Sequence, residues 1–242
     1  MIHIITMWHN EEYLAPLFLE HYKRADMITV ILDSNSDNTP RLLRDPKINI
    51  ERFSSEGLDD IQKAKLLSAV ATFSGADVRI VVDSDEFIYP VKDIEIEPGK
   101  VYSVGFYEVF RNHKDKDIDR TAPPLQQRTH GNPKRGQSFG QNHFVKPIVF
   151  GKGVDVFLAP GNHSLYGDAE IIDDCFDGSH WAMADPTLAM GRRAKKRLRM
   201  SEVNYKNGLT SHDWDITADK ILNDCDAWLG GPKVINTDRE RF

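Results

Sequence analysis

Residues 78–90 read VRIVVDSDEFIYP. Val78, Ile80, Val81 and Val82 make an apolar run of strand length, and the run stops at Asp83, Ser84, Asp85 and Glu86. Carboxylates this close repel one another unless a cation or solvent relieves them. A strand that had only to be buried would not need such an ending.

Working outward, IHIITM (2–7), MITVIL (27–32) and INIERF (48–53) join VRIVV (78–82) as expected strands. Between the first two, Leu14, Leu17, Phe18, His21 and Tyr22 fall at helical spacing. Asn10 offers a cap there, and Pro16 argues for a helix that starts a few residues after Glu11. Asn38-Thr39-Pro40 opens a second helix into RLLRD, and LDDIQKAKLLSAVATFSG (58–75) is a third. Strand and helix alternating in short steps predict right-handed crossovers and a parallel sheet covered on both faces.

The second half is less regular. KVYSVGFYEVF (100–110), FVKPIVF (144–150) and VDVFLA (154–159) are expected strands. The polar stretch 111–143 between them, rich in Gly, Pro, Lys and Arg, has the length of a functional lid or mobile segment. Residues 187–206 form a basic helix containing RRAKKRLR (192–199). Such a run is most often a solvated face. Its functional readings are contact with a diphosphate, an acidic acceptor or an anionic membrane surface. Trp181, Trp214 and Trp228 are expected in the core rather than stacked on sugar rings.

The chain has 242 residues with a formal net charge of −6, so no global basic field draws it to nucleic acid. Cys175 and Cys225 are its only cysteines, which fits a reducing compartment and leaves at most a single bridge open. No apolar run approaches the roughly 20 residues of a membrane span. The first residues run straight into IHIITM without a basic segment or cleavage site, so the expectation is a soluble, cytoplasmic protein.

In an open α/β sheet, ligands collect beyond the carboxyl ends of the strands. Here those ends carry WHNEE, DSNSDNT and DSDEF, all at one edge. No G-x-G-x-x-G follows the first strand and no G-x-x-x-x-G-K-[ST] occurs, which disfavours a dinucleotide site and a P-loop. Asp83 and Asp85 are spaced D-x-D, and in an extended segment residues two apart face the same way. Both carboxylates could then approach one hard divalent cation, Mg²⁺ or Mn²⁺, which commonly shares its shell with a diphosphate. Alone, D-x-D is as common on solvated loops.

NEEYLAPLFLEHY (10–22), LDSNSDNT (32–39) and VVDSDEFIYP (81–90) together resemble the family 2 glycosyltransferases, in the branch whose motif reads Asp-x-Asp-Glu-Phe. The resemblance covers roughly residues 2–90. It implies a GT-A fold: α/β, with a mainly parallel central sheet flanked by helices. It also implies one domain over 1–242, with a nucleotide-sugar half (1–99) and an acceptor half (100–242) ending in basic helices. The implied activity is inverting transfer of a sugar from a UDP-, GDP- or CDP-type donor to a glycan, lipid-linked or polysaccharide acceptor. By position, Thr6, Trp8 and Glu11 resemble the residues lining the nucleoside pocket, and Asp33 the acid that meets the base. Asp83 matches the carboxylate near ribose and metal, and Asp85 the principal metal ligand. The third ligand in such enzymes is often a downstream histidine; His163 in APGNHSLYGD is the first choice and His180 in GSHW the second. An imidazole there tilts the preference to Mn²⁺. The general base is left between Glu86 and Asp168, with Glu108, Asp173 and Asp174 still open. A metal-dependent nucleotidyltransferase or phosphohydrolase is the competing enzyme. A carbohydrate-binding module would leave three acidic strand ends unexplained.

Overall fold

The computed structural model describes residues 1–89, 95–111, 115–128, 130–133, 145–209 and 233–234. Strands β1 (Ile2–Trp8), β2 (Met27–Asp33), β3 (Ile48–Phe53) and β4 (Val78–Val81) pair in parallel in the order β3-β2-β1-β4. Helices α1 (Ala15–His21), α2 (Thr39–Leu42) and α3 (Asp60–Phe73) make the crossovers between them. Both faces of this sheet are covered. Ile4, Ile28, Val30 and Ile80 pack into one cluster, while Ile5, Ile31 and Val81 pack into the other with Leu67 and Phe150. That double coverage is why the strand sequences are apolar runs rather than alternating ones.

Beyond β4 the sheet departs from the expected, mainly parallel arrangement and becomes mixed. After β5 (Glu86–Ile88), β6 (Val101–Phe110), β7 (His130–Pro133), β8 (Val145–Gly151) and β10 (Lys233–Val234) extend it antiparallel, in the order β10-β7-β6-β8-β4. Strand β9 (Ile171–Met183) pairs parallel with β6 and antiparallel with β5. Parallel neighbours need long crossovers, usually helical. Among the described residues no α-helix lies between Phe73 and α4 (Pro186–Leu198).

Several local differences have clear causes. VDVFLA is not a strand, because α3 side chains take over its backbone donors: Val156 N–H donates to Thr72 Oγ1 and Leu158 N–H to Ser68 Oγ, both at 2.9 Å. The expected basic helix is two helices, α4 and α5 (Glu202–Lys206), since Ser201 caps the second by accepting from Asn204 N–H at 3.2 Å. Asn10 does not cap α1. At φ 53° its side chain accepts instead from Ser36 N–H (2.7 Å) and Asp37 N–H (3.2 Å), tying the loop after β1 to the loop after β2. As Pro16 requires, α1 begins only at Ala15. Trp181 is fully buried against Phe87, whereas Trp214 and Trp228 lie outside the described residues, as does much of 111–143. No helix among the described residues is long and apolar enough to cross a membrane.

Candidate active site

The parallel strands β1, β2 and β4 deliver their carboxyl ends to one edge, and a cleft of about 920 Å³ opens there. Trp8, Glu11, Asp33, Asp83, Asp85 and Glu86 line it from the first half of the chain. Thr6 does not; it is buried beneath Trp8, accepting from the indole Nε1–H at 2.9 Å. His163 lines the cleft as an exposed side chain, and Asp168 is exposed outside its lining.

The motif does not continue as an extended strand. Strand β4 ends at Val81, and Asp83 to Glu86 fold into a turn closed by Glu86 N–H donating to Asp83 O at 3.1 Å. Glu86, 1% exposed, reaches back to accept from Asp83 N–H at 2.9 Å through Oε2. Its other oxygen faces the Lys146 ammonium at 2.5 Å. Trp181 N–H, on β9, holds the turn from outside by donating to Asp85 O at 2.8 Å. Both oxygens of Glu86 are thus engaged, one by the backbone of the turn and one by Lys146.

Because the backbone turns here, the alternation that would aim Asp83 and Asp85 at one point is lost. Asp83 pairs with Lys63 (2.5 Å) and Lys146 (3.2 Å). Asp85 pairs with Arg192 (3.2 Å) and faces His180 Nε2 at 3.4 Å. His180 Nδ1 lies 2.7 Å from Glu108, whose Oε1 is buried without a partner among the described residues. Burial disfavours every one of these charges. At Asp83 the two lysines outweigh it and hold the carboxyl well below its ordinary range. Arg192 and His180 do the same for Asp85. Burial also works against a charged His180, but Glu108 and Asp85 keep its pKa well above the usual imidazole value. For Glu86 and Glu11 burial prevails, so both are raised despite Lys146 and Arg192.

At the β2 end, Asp33 accepts from Ser55 N–H (3.0 Å) and Ser55 Oγ (2.7 Å) and pairs with Arg199 at 2.7 Å. Burial alone would raise its pKa; Arg199 and Ser55 bring it below the ordinary value. Arg199 is delivered by a backbone clasp in which Leu58 N–H donates to Arg199 O and Ser201 N–H to Leu58 O. Gly57 is required at that clasp, since a Cβ on it would stand 2.5 Å from Arg199 O.

The basic stretch 192–199 is therefore a wall of the cleft and not a purely solvated face. Arg192, Lys195, Lys196 and Arg199, spaced i, i+3, i+4 and i+7, all line it. Arg192 also contacts Glu11 (3.2 Å) and Ser84 (3.3 Å), which joins α4 to the ends of β1 and β4. Lys146, on β8, is a site residue that sequence reading passed over, and Lys63, in the first turn of α3, is one that reads as an ordinary surface lysine unless that turn reaches the donor. The signal for Lys146 was a lone lysine inside the apolar run VKPIVF. For Lys63 it was only its place in the first turn of a helix that follows a strand end.

The divalent cation implied by the D-x-D spacing does not suit this donor set. Among the described residues no three His, Cys, Asp or Glu side chains converge to hold a metal ion. The motif carboxylates are divided between different cationic partners, Lys63 and Lys146 at Asp83 and Arg192 at Asp85.

No protein-family model matches the chain, and no curated protein matches it. Among solved structures, it is similar to residues 1–349 of TarS from S. aureus, at 11% identity and a TM-score of 0.40. That match covers 85% of this chain and 68% of that 1–349 chain. It is also similar to a putative glucose-1-phosphate thymidylyltransferase from Bacillus anthracis crystallised with a sucrose, at 11% identity and a TM-score of 0.41. Here 84% of this chain and 98% of the other are covered. Likeness at that level assigns neither a family nor an activity.

Proposed function

We propose that the cleft is the donor site of a GT-A glycosyltransferase of the family 2 type, which moves a sugar from a nucleoside diphosphate to a hydroxyl of a glycan or lipid-linked acceptor. One observation carries this reading. The carboxyl ends of β1, β2 and β4 converge on a single cleft whose opposite wall is the cationic face of α4. Nucleoside and diphosphate ask for different surroundings, and the cleft has both. The β2 end offers Asp33 with Ser55, a hydrogen-bonding corner suited to a base or ribose. The β4 end gathers Lys63, Lys146 and Arg192, where negative charge builds on the departing diphosphate as the glycosidic bond breaks.

In this reading Asp85 orients Arg192 and His180, and Glu86 holds the turn that presents Asp83. The donor site draws on both halves of the chain, with Lys146, His180, Arg192 and Arg199 all coming from beyond residue 99. The test is incubation with UDP-, GDP- and CDP-sugars and a glycan acceptor, and in parallel with nucleoside triphosphates and a sugar 1-phosphate, following thermal stabilisation and the phosphate product. Release of a nucleoside diphosphate is expected. Release of pyrophosphate from a nucleoside triphosphate and a sugar phosphate would replace this reading with nucleotidyl transfer. Asp85→Ala, which frees Arg192, is expected to weaken donor binding while circular dichroism stays unchanged; undiminished donor affinity in that variant would remove Asp85 from its orienting role.

A further inference from the structure

We propose that the diphosphate of the donor is held by this chain's own Lys63, Lys146, Arg192 and Arg193, without a resident divalent cation. The proposal rests on the donor-site reading above and deepens it.

In the D-x-D arrangement a metal neutralises two carboxylates and the diphosphate at once, so both carboxylates must reach one point. Here the two carboxylates are engaged by different cations instead, and lysines already neutralise Asp83 on both its oxygens. Asp85 carries Arg192 on Oδ2, with His180 beside the same oxygen. Lys146 is buried, so its ammonium is no mobile surface charge that would step aside for a divalent ion. A second cation placed among these groups would meet like charges at short range in a partly desolvated site.

The unused hydrogen-bonding groups ask for the opposite charge. Arg192 Nη1 and Arg193 Nη1 are buried donors without an acceptor among the described residues, and both side chains line the cleft. An ammonium has three donors. Carboxylates take two at Lys146 and one at Lys63, which leaves N–H groups on both that a ligand oxygen could accept from. Donors short of acceptors, fixed by neighbouring carboxylates, form an anion site. Phosphate oxygens supply many acceptors and the negative charge to match. The carboxylates then have a different task from ligation: they hold the cations in place before the diphosphate arrives, so little reorganisation is needed when charge develops on it.

The test is calorimetric titration of the whole chain with UDP, GDP and CDP, in EDTA and again with Mn²⁺. At least one nucleoside diphosphate is expected to bind in EDTA, with an affinity within about threefold of that in Mn²⁺. Lys146→Met and Arg192→Met are each expected to weaken that binding by at least about tenfold, while the affinity for the matching nucleoside is unchanged. Arg193→Met leaves the buried lysine pairs intact and should weaken binding in the same direction, so the outcome does not hang on a variant that fails to fold. Binding that appears only with Mn²⁺ and vanishes in EDTA would overturn the metal-free site and leave the donor reading standing. Absence of binding by every nucleoside diphosphate under both conditions would overturn the donor reading itself.

Discussion

His21 in the interior and His180 in the cleft are both enclosed imidazoles, yet their surroundings treat charge in opposite ways. His21 Nε2 donates to one carbonyl, Ile88 O, at 2.9 Å, and burial pushes its pKa down to about 4. His180 stands between Glu108 and Asp85, which keep it protonated against the same desolvation. The pattern extends around each. In the interior, Tyr22 OH donates to Glu86 O and accepts from Ile88 N–H, while His3 sits between Ser74 Oγ and Thr29 Oγ1, each 2.7 Å away. Even the buried Arg79 is held by carbonyls of Ala71, Val154 and Gly151 and, among the described residues, pairs with no carboxylate. In the cleft, Lys63, Lys146, Arg192 and Arg199 each meet a carboxylate. Desolvation takes up much of what such pairing gains, and replacing a whole buried pair by apolar residues is often as stable. The interior thus uses hydrogen bonds to fix geometry, whereas the cleft concentrates charge that is useful chiefly to a charged ligand.

The contrast can be broken most forcefully at Lys146. Lys146→Met would leave Glu86 and Asp83 without their shared buried cation and is expected to cost about 3–5 kcal/mol in denaturant unfolding. Adding Glu86→Gln should recover a large part of that loss; a cost under about 1 kcal/mol for the single variant would show that the pair behaves as a surface contact.

A smaller effect is expected from pH. The folded pKa of His21 is depressed below its unfolded value, so the unfolded chain takes up the proton first as pH falls. Its contribution is complete above about pH 6.5 and is lost as pH drops towards 4, by on the order of 1–3 kcal/mol. His3, also lowered to about 4 by burial, acts in the same direction. His21→Asn should flatten the stability profile in that window, and a profile as steep as the parent's would remove His21 from the account.

The smallest change sharpens the comparison within the cleft. Ser55→Ala removes one neutral hydroxyl donor from Asp33 and leaves the residue 55 N–H and Arg199 in place, so a loss of about 0.5–1.5 kcal/mol is expected. Nuclear magnetic resonance titration should show the Asp33 carboxyl pKa rising towards its ordinary value.

The first four strands were legible because burial on both faces leaves a continuous apolar run, which local sequence alone displays. INIERF forms its strand at the expected residues, and the acidic strand ends stand together at one edge, as parallel order requires. Strand β9 was not legible: Asp173, Asp174, Asp177 and Gly178 interrupt its apolar pattern, and it is made by pairing with β5 and β6. VDVFLA failed in the reverse sense, since its pattern suits a strand but hydroxyls of α3 took its donors.

At the cleft, chain order and strand period are enough to place these acids at the strand ends. The tertiary structure decided what those acids meet. A turn of four residues separates the aims of Asp83 and Asp85. Lys146, 63 residues away in the chain from Asp83, and Arg199, 166 residues from Asp33, arrive only through sheet pairing and the Gly57 clasp. Local sequence encodes periodicity and burial. The counter-charge of a carboxylate depends on contacts between distant segments, which no local pattern records.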